Sequence, residues 1–158
     1  MAIVNIRDTG RNSAKTSDVR ELAEKVQKPS DTEAITAANT ITAAESGTRF
    51  VMNTATARIQ TLPSPAAGLE YWFYVGATEP TGTHTVVTAS SANVIVGNVA
   101  SPEDAAGHVA TVTDADTISL VASKAVHGDY AHVWSDGTNW YLDGMCKVQD
   151  GITTTQAS

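Results

Sequence analysis

The sequence predicts an all-β fold, an antiparallel sandwich, jelly-roll-like domain or barrel, with an extended N-terminal arm and one short helix. Two observations predict it. The 158 residues hold 16 valines and 8 isoleucines against 5 leucines, with 22 threonines and 24 alanines. That palette packs on pleated sheets and is poor in the aliphatics of long helices. From Ile35 onward, β-capable runs also recur at intervals of about ten residues, separated by turn residues.

The chain divides into residues 1–34, an arm with a short amphipathic helix; residues 35–149, the β domain; and residues 150–158, a polar C-terminal tail. In the arm, Ile3-Val4-Asn5-Ile6 is β-capable and Arg7-Asp8-Thr9-Gly10-Arg11-Asn12-Ser13 is polar and glycine-punctuated. A helix follows, capped by Ser17 or Asp18, with Val19, Leu22, Ala23 and Val26 on one stripe, and is stopped by Pro29. At about ten residues it is marginal alone and needs a surface to dock on, its own β domain or a partner.

The expected strands are Ala34–Ala43, Thr48–Asn53, Arg58–Leu62, Glu70–Gly76, Thr83–Ala89, Asn93–Gly97, Gly107–Thr113, Thr117–Ala122, Asp129–Ser135 and Asn139–Asp143, with a further candidate at Cys146–Val148. Glu45-Ser46-Gly47, Pro63 to Gly68, Glu79-Pro80-Thr81-Gly82, Ser101-Pro102-Glu103-Asp104, Asp114-Ala115-Asp116 and His127-Gly128 supply the turns. No parallel βαβ unit is visible. The segment Tyr71-Trp72-Phe73-Tyr74-Val75 is apolar on both faces, so it is either central in a sandwich or covered by a neighbouring subunit.

The strongest local signal is the hairpin from Tyr130 to Gly144, turning at Asp136-Gly137, both of which tolerate the positive φ of a tight primed turn. Whether the loop has two residues or four, the side-chain period of two fixes the faces. Ala131, Val133, Trp140 and Leu142 form a dry face. Tyr130, His132, Trp134 and Tyr141 form an aromatic and polar one, suited either to subunit or core packing or to stacking on sugar rings.

The formal charge of −7 is uneven. Residues 1–34 hold six basic and six acidic side chains, so the whole excess lies on residues 35–158. An acidic body without a basic stripe argues against nucleic acid and anionic membranes as partners. Met1-Ala2-Ile3-Val4 runs into Asn5 and Arg7 without an apolar leader, and no apolar run is long enough to span a bilayer, so the chain is expected to be made in a cytoplasm. The large apolar side chains, two Phe, three Trp, four Tyr, three Met and five Leu, are few for a monomeric sandwich, and burial between copies would supply the deficit.

Chemistry-bearing patterns are sparse. No Gly-x-Ser-x-Gly, His-Glu-x-x-His, Walker loop or EF-hand spacing occurs, so no enzyme, cofactor or metal site is expected. Cys146, the one cysteine, is either a nucleophile or a small buried hydrophobe, and Met145-Cys146-Lys147-Val148 favours the second. His84, His108, His127 and His132 lie on separate segments, which favours structural or surface roles. The carboxylates Glu103, Asp104, Asp114 and Asp116 read as solvated loops rather than a calcium site.

An ordered series of short segments carries a resemblance. Ile41 to Asn53 contains Glu45-Ser46-Gly47; Ile59-Gln60-Thr61-Leu62-Pro63 and Gly68-Leu69-Glu70-Tyr71-Trp72-Phe73 follow; Gly128-Asp129 and Ser135-Asp136-Gly137-Thr138-Asn139-Trp140 close it. Over about residues 35–144 this resembles a β module of tailed-bacteriophage virion proteins, found in capsid decoration (cement) proteins and also in head and tail fibres. The resemblance implies a structural virion protein, made in the bacterial host cytoplasm, that binds the outer surface of an assembled capsid as a homotrimer and bridges capsomers. Its partners would be the major capsid protein and copies of itself, without cofactors or catalytic residues. The arm residues Ile3, Val4, Asn5, Ile6, Arg7 and Arg11 are then expected to contact the capsid by strand addition. Tyr71, Trp72, Phe73, Tyr74 and Trp134 are expected at the subunit interface. The alternative the resemblance leaves is a fibre module recognising host glycans through the aromatic hairpin face.

Overall fold

In the computed structural model, which describes residues 31–101 and 108–158, the chain is a two-sheet β-sandwich. Its strands are β1 (Thr32–Ile35), β2 (Asn39–Thr40), β3 (Arg49–Met52), β4 (Ile59–Thr61), β5 (Glu70–Val75) and β6 (His84–Val87), then β7 (Ile95–Ser101), β8 (His108–Ala115), β9 (Thr117–Leu120), β10 (Tyr130–Ser135), β11 (Trp140–Met145) and β12 (Ile152–Thr155). One sheet has seven strands in the order β1-β3-β5-β10-β11-β7-β8, the other five in the order β12-β9-β6-β4-β2.

The expected all-β sandwich stands, but its sheets are mixed rather than antiparallel. From β1 to β6 the chain changes sheet at every strand, so consecutive members of one sheet run the same way. β1, β3 and β5 pair in parallel, as do β2, β4 and β6. The result is a three-turn coil in which each turn contributes one strand to each sheet. Side chains of the second turn tie it to the first: Arg58 Nε donates to the Thr36 carbonyl at 2.7 Å and Gln60 Nε2 to the Ala37 carbonyl at 3.0 Å. The antiparallel pairs β5–β10 and β6–β9 seal the third turn's side, the pairs β10–β11, β7–β8 and β9–β12 extend the sheets beyond it, and β7 joins β11 in parallel.

Other differences have local causes. The run Ala34–Ala43 breaks at residues 36–38, where the chain arches between sheets, and β1 extends across the expected domain boundary at 34/35. The expected polar tail 150–158 contains β12, whose Ile152 is buried, because a threonine-rich strand needs only one inward apolar residue to dock beside β9. Cys146–Val148 is irregular, bending into the turn at 149–150, and residues 1–30 of the expected arm, with its helix, lie outside the described residues. The 130–144 hairpin has the expected faces on a four-residue loop, pairing Ser135 with Trp140 and Val133 with Leu142. Only Gly137 takes positive φ there. Asp136 instead braces the loop by accepting the Thr138 and Asn139 amides at 2.8 and 2.9 Å.

The core lies between the sheets. The seven-stranded sheet contributes the rings of Phe50, Tyr71, Phe73 and Trp140, and the five-stranded sheet contributes Val86, Ile118, Leu120 and Ile152. Phe50 stacks on Phe73 at 5.4 Å, and Tyr71 tilts against Trp140 at 5.8 Å. Buried Asp129 closes the base of β10, accepting the amides of Val126 and Lys147.

One glycine sets the closest strand approach. At Gly97, where the β7–β8 pairing shifts register, φ is +146°, and a Cβ would stand 2.0 Å from the Leu142 carbonyl oxygen of the neighbouring strand. Gly97→Ala is therefore expected to destabilise the fold by about 3 kcal/mol or more. Thermal unfolding followed by circular dichroism should show a melting point lower by roughly 6–12 °C; an unchanged midpoint would mean the two strands are not held this closely.

Candidate functional site

All nine aromatic residues of the chain sit on the seven-stranded sheet, and strand parity sorts them. Phe50, Tyr71, Phe73 and Trp140 point inward, while Trp72, Tyr74, Tyr130, Trp134 and Tyr141 point outward. The outer face of β5, β10 and β11 is thus a surface of rings, in rows set by the register. Glu70, Trp134, Tyr141 and Val96 lie abreast; so do Arg49, Trp72, His132, Asp143 and Asn98; so do Ala34, Val51, Tyr74, Tyr130, Met145, Ala100 and Val109. Trp134 and Met145 are each 44% exposed and Val109 56%.

The rings lean on one another. Trp72 stacks on His132 at 3.8 Å with 10° between planes, Trp134 on Tyr141 at 4.3 Å with 14°, and Trp72 on Tyr74 at 6.0 Å. Tyr130 tilts against both Trp72 and Tyr74. Stacking between adjacent strands makes the two cross-strand pairs stand upright from the sheet. Each ring of a pair gives one flat face to its partner. Polar contacts fix the poses: His132 Nε2 lies 2.7 Å from Glu70 Oε1, and the Tyr141 hydroxyl donates to Asp136 Oδ2 at 3.0 Å.

Local electrostatics follow these contacts. The Asn139 and Thr138 amides and the Tyr141 hydroxyl hold the Asp136 carboxyl below its ordinary range, and the same hydrogen bond with Asp136 raises the Tyr141 phenol. Burial, then the negative charge of Asp143, raises Tyr130. The arrangement offers apolar ring surface with a few fixed acceptors. It contains no nucleophile paired with a base.

The expected interface residues divide accordingly. Trp72, Tyr74 and Trp134 are on the outer face. Tyr71 and Phe73 are not available to a partner: both are fully buried in the chain's own core because they share the inward parity of β5, and the Tyr71 hydroxyl donates to the Thr42 carbonyl at 2.9 Å. Burial and the nearby Glu45 charge push Tyr71 up to about 12. The arm residues Ile3, Val4, Asn5, Ile6, Arg7 and Arg11 lie outside the described residues. Sequence reasoning missed Glu70, Asp143, Met145 and Val109 as parts of this face, since the pairing of β5 with β10 and of β11 with β7 leaves no local signal.

Elsewhere, titratable groups have structural settings. Cys146 is buried with its thiol pushed up by burial. His127 is exposed in a turn, and no group of three metal-ligating side chains converges among the described residues. Grooves of about 340 and 240 Å³ run along the first coil turn, lined by Ala38, Asn39, Thr40, Ile59 and Thr61 and by residues 33–39. Comparison with known protein families, curated proteins and solved structures finds no match to this chain.

His84 gives the site's scaffold a pH dependence. It is buried, its Nδ1 accepts the Arg58 amide at 3.1 Å, and its Nε2 lies 2.9 Å from the Thr54 carbonyl, the pattern of a neutral ring that donates from Nε2. Burial lowers its pKa. The unfolded chain therefore binds a proton more readily, so this contribution is complete above about pH 6.5 and is lost as pH falls toward the folded-state value. Urea unfolding from pH 7.5 to 5 should show stability falling by up to about 1.4 kcal/mol per pH unit more steeply in the wild type than in His84→Gln. Parallel curves would exclude a buried neutral imidazole.

Proposed function

We propose that this chain is a non-catalytic structural module that assembles with copies of itself through the aromatic outer face of its seven-stranded sheet. More specifically, it is a capsid decoration protein that sits on a tailed-phage head as a homotrimer. The observation that carries the assembly reading is the five outward rings of Trp72, Tyr74, Tyr130, Trp134 and Tyr141, continuous with exposed Met145 and Val109. Aromatic and methionine side chains gathered on one face are the composition of interface cores, and a monomer gains nothing from exposing them.

Ring orientation favours protein packing over the alternative of a fibre module binding glycans. A sugar stacks on a free ring face, whereas Trp72 and Trp134 each already give one face to a neighbouring ring. The virion assignment is supported by the sequence resemblance alone. A symmetric trimer suits a shell with threefold sites, since three weak contacts on one rigid body raise effective concentration without any single strong contact. The N-terminal segment Ile3 to Ile6 is the candidate for those shell contacts by strand addition.

Light scattering at micromolar concentration is expected to give three chain masses for the wild type and one for Trp72→Asp. The substitution removes a central stacked ring and sets a carboxylate in a face to be buried, and the part-exposed position lets the monomer fold. A wild-type chain that stays monomeric would sink the assembly reading. Mixed with undecorated phage heads and pelleted, the full chain should co-sediment and a chain lacking residues 1–16 should not; equal pelleting would move attachment to the β domain.

A further inference from the structure

The coil of β1 to β6 has one closed end and one open end, and the open end carries a charge where the core pattern demands an apolar side chain. Its third turn is sealed by β10 in one sheet and β9 in the other, but β1 and β2 are the outermost strands of their sheets among the described residues. The inward column of the seven-stranded sheet reads Phe73, Phe50 and, at the open turn, Glu33; the next column reads Val75, Met52 and Ile35, all buried. Glu33 therefore has the parity of a core residue and is exposed, with no further turn beyond it among the described residues. Across the gap the corresponding column of the other sheet reads Val86, Gln60 and Asn39, so polarity rises toward the same end.

An outermost strand offers unpaired backbone groups to any extended segment, and a second copy presents the same two strands. Pairing β1 with β1 of another copy about a twofold axis perpendicular to the sheets would set the two strands antiparallel and extend the sandwich across the join. It would also bury the Glu33 carboxylates of both copies in the joined interior, each beside the Phe50 column. Two like charges placed in an apolar site oppose association strongly.

We propose that Glu33 is a specificity-determining guard: it prevents copies from joining end to end through the open coil turn, and so leaves the aromatic face as the route of self-association. The last clause rests on the assembly reading; the guarding role does not. Ala34, its outward neighbour on β1, has no such effect because its side chain never enters the joined interior.

Sedimentation velocity on the full chain over a hundredfold concentration range tests this. Glu33→Val is expected to add a concentration-dependent species of twice the parent mass, associating roughly tenfold or more tightly than the parent. Glu33→Thr should do so more weakly, while Glu33→Asp and Ala34→Val should sediment as the parent does. In the Trp72→Asp background, Glu33→Val should still double the mass, because the two surfaces are separate. If Glu33→Val and Glu33→Thr sediment as the parent at every concentration, the proposal is overturned. It is equally overturned if both fail to fold, since an exposed guard is not needed for folding. Should Trp72→Asp leave the wild-type mass unchanged, the aromatic-face reading fails and the Glu33 comparison remains decisive.

Discussion

Four rings fill the gap between the sheets, and their bulk decides what can face them. Phe50, Tyr71, Phe73 and Trp140 all come from one sheet, so the other must answer with compact branched chains such as Val86, Ile118 and Leu120 if the space is to fill without strain. The division of labour explains a composition that looks poor in large apolar residues. One sheet concentrates the aromatic content of the whole chain, and the other is built from valine, isoleucine and threonine on a scaffold whose polar interior members, His84 and Gln60, are tied to backbone.

The same concentration creates the outer face. A strand cannot place consecutive rings on one side, so Tyr71-Trp72-Phe73-Tyr74 necessarily gives two rings to the core and two to the exterior. Once β10 and β11 dock beside it, Tyr130, Trp134 and Tyr141 join the exterior pair, and stacking with His132 and bracing by Asp136 hold them in place. A face already ordered in the free chain loses little side-chain freedom on packing against a neighbour, which lowers the entropic cost of association.

The hairpin was legible in the sequence because its faces depend only on parity across a short loop. The strand content, the Pro63 to Gly68 and Glu79 to Gly82 turns, and the two-faced character of residues 71–75 were legible for similarly local reasons. The parallel coil was not. Pairings such as β3 with β5 or β11 with β7 join residues far apart in the chain, and nothing in either partner's composition names the other. The assignment of Tyr71 and Phe73 to an interface failed at the same point: alternation separates the two faces of a strand, and only neighbours decide which face turns inward. β12 escaped notice because three threonines beside one buried isoleucine read as a polar tail until β9 supplies an edge.

The position of β7 ties the chain's order of synthesis to its order of folding. β7 and β8 leave the ribosome before β10 and β11, yet in the finished sheet the later hairpin stands between β5 and β7. The coil of β1 to β6 can accumulate turn by turn as it emerges, each new strand finding its neighbour already in place. The β7–β8 pair has no such neighbour: it must wait beside a gap two strands wide. Residues 130–145 therefore act as a keystone, and a nascent chain stopped short of Met145 would hold the two flanks of its larger sheet with nothing to join them.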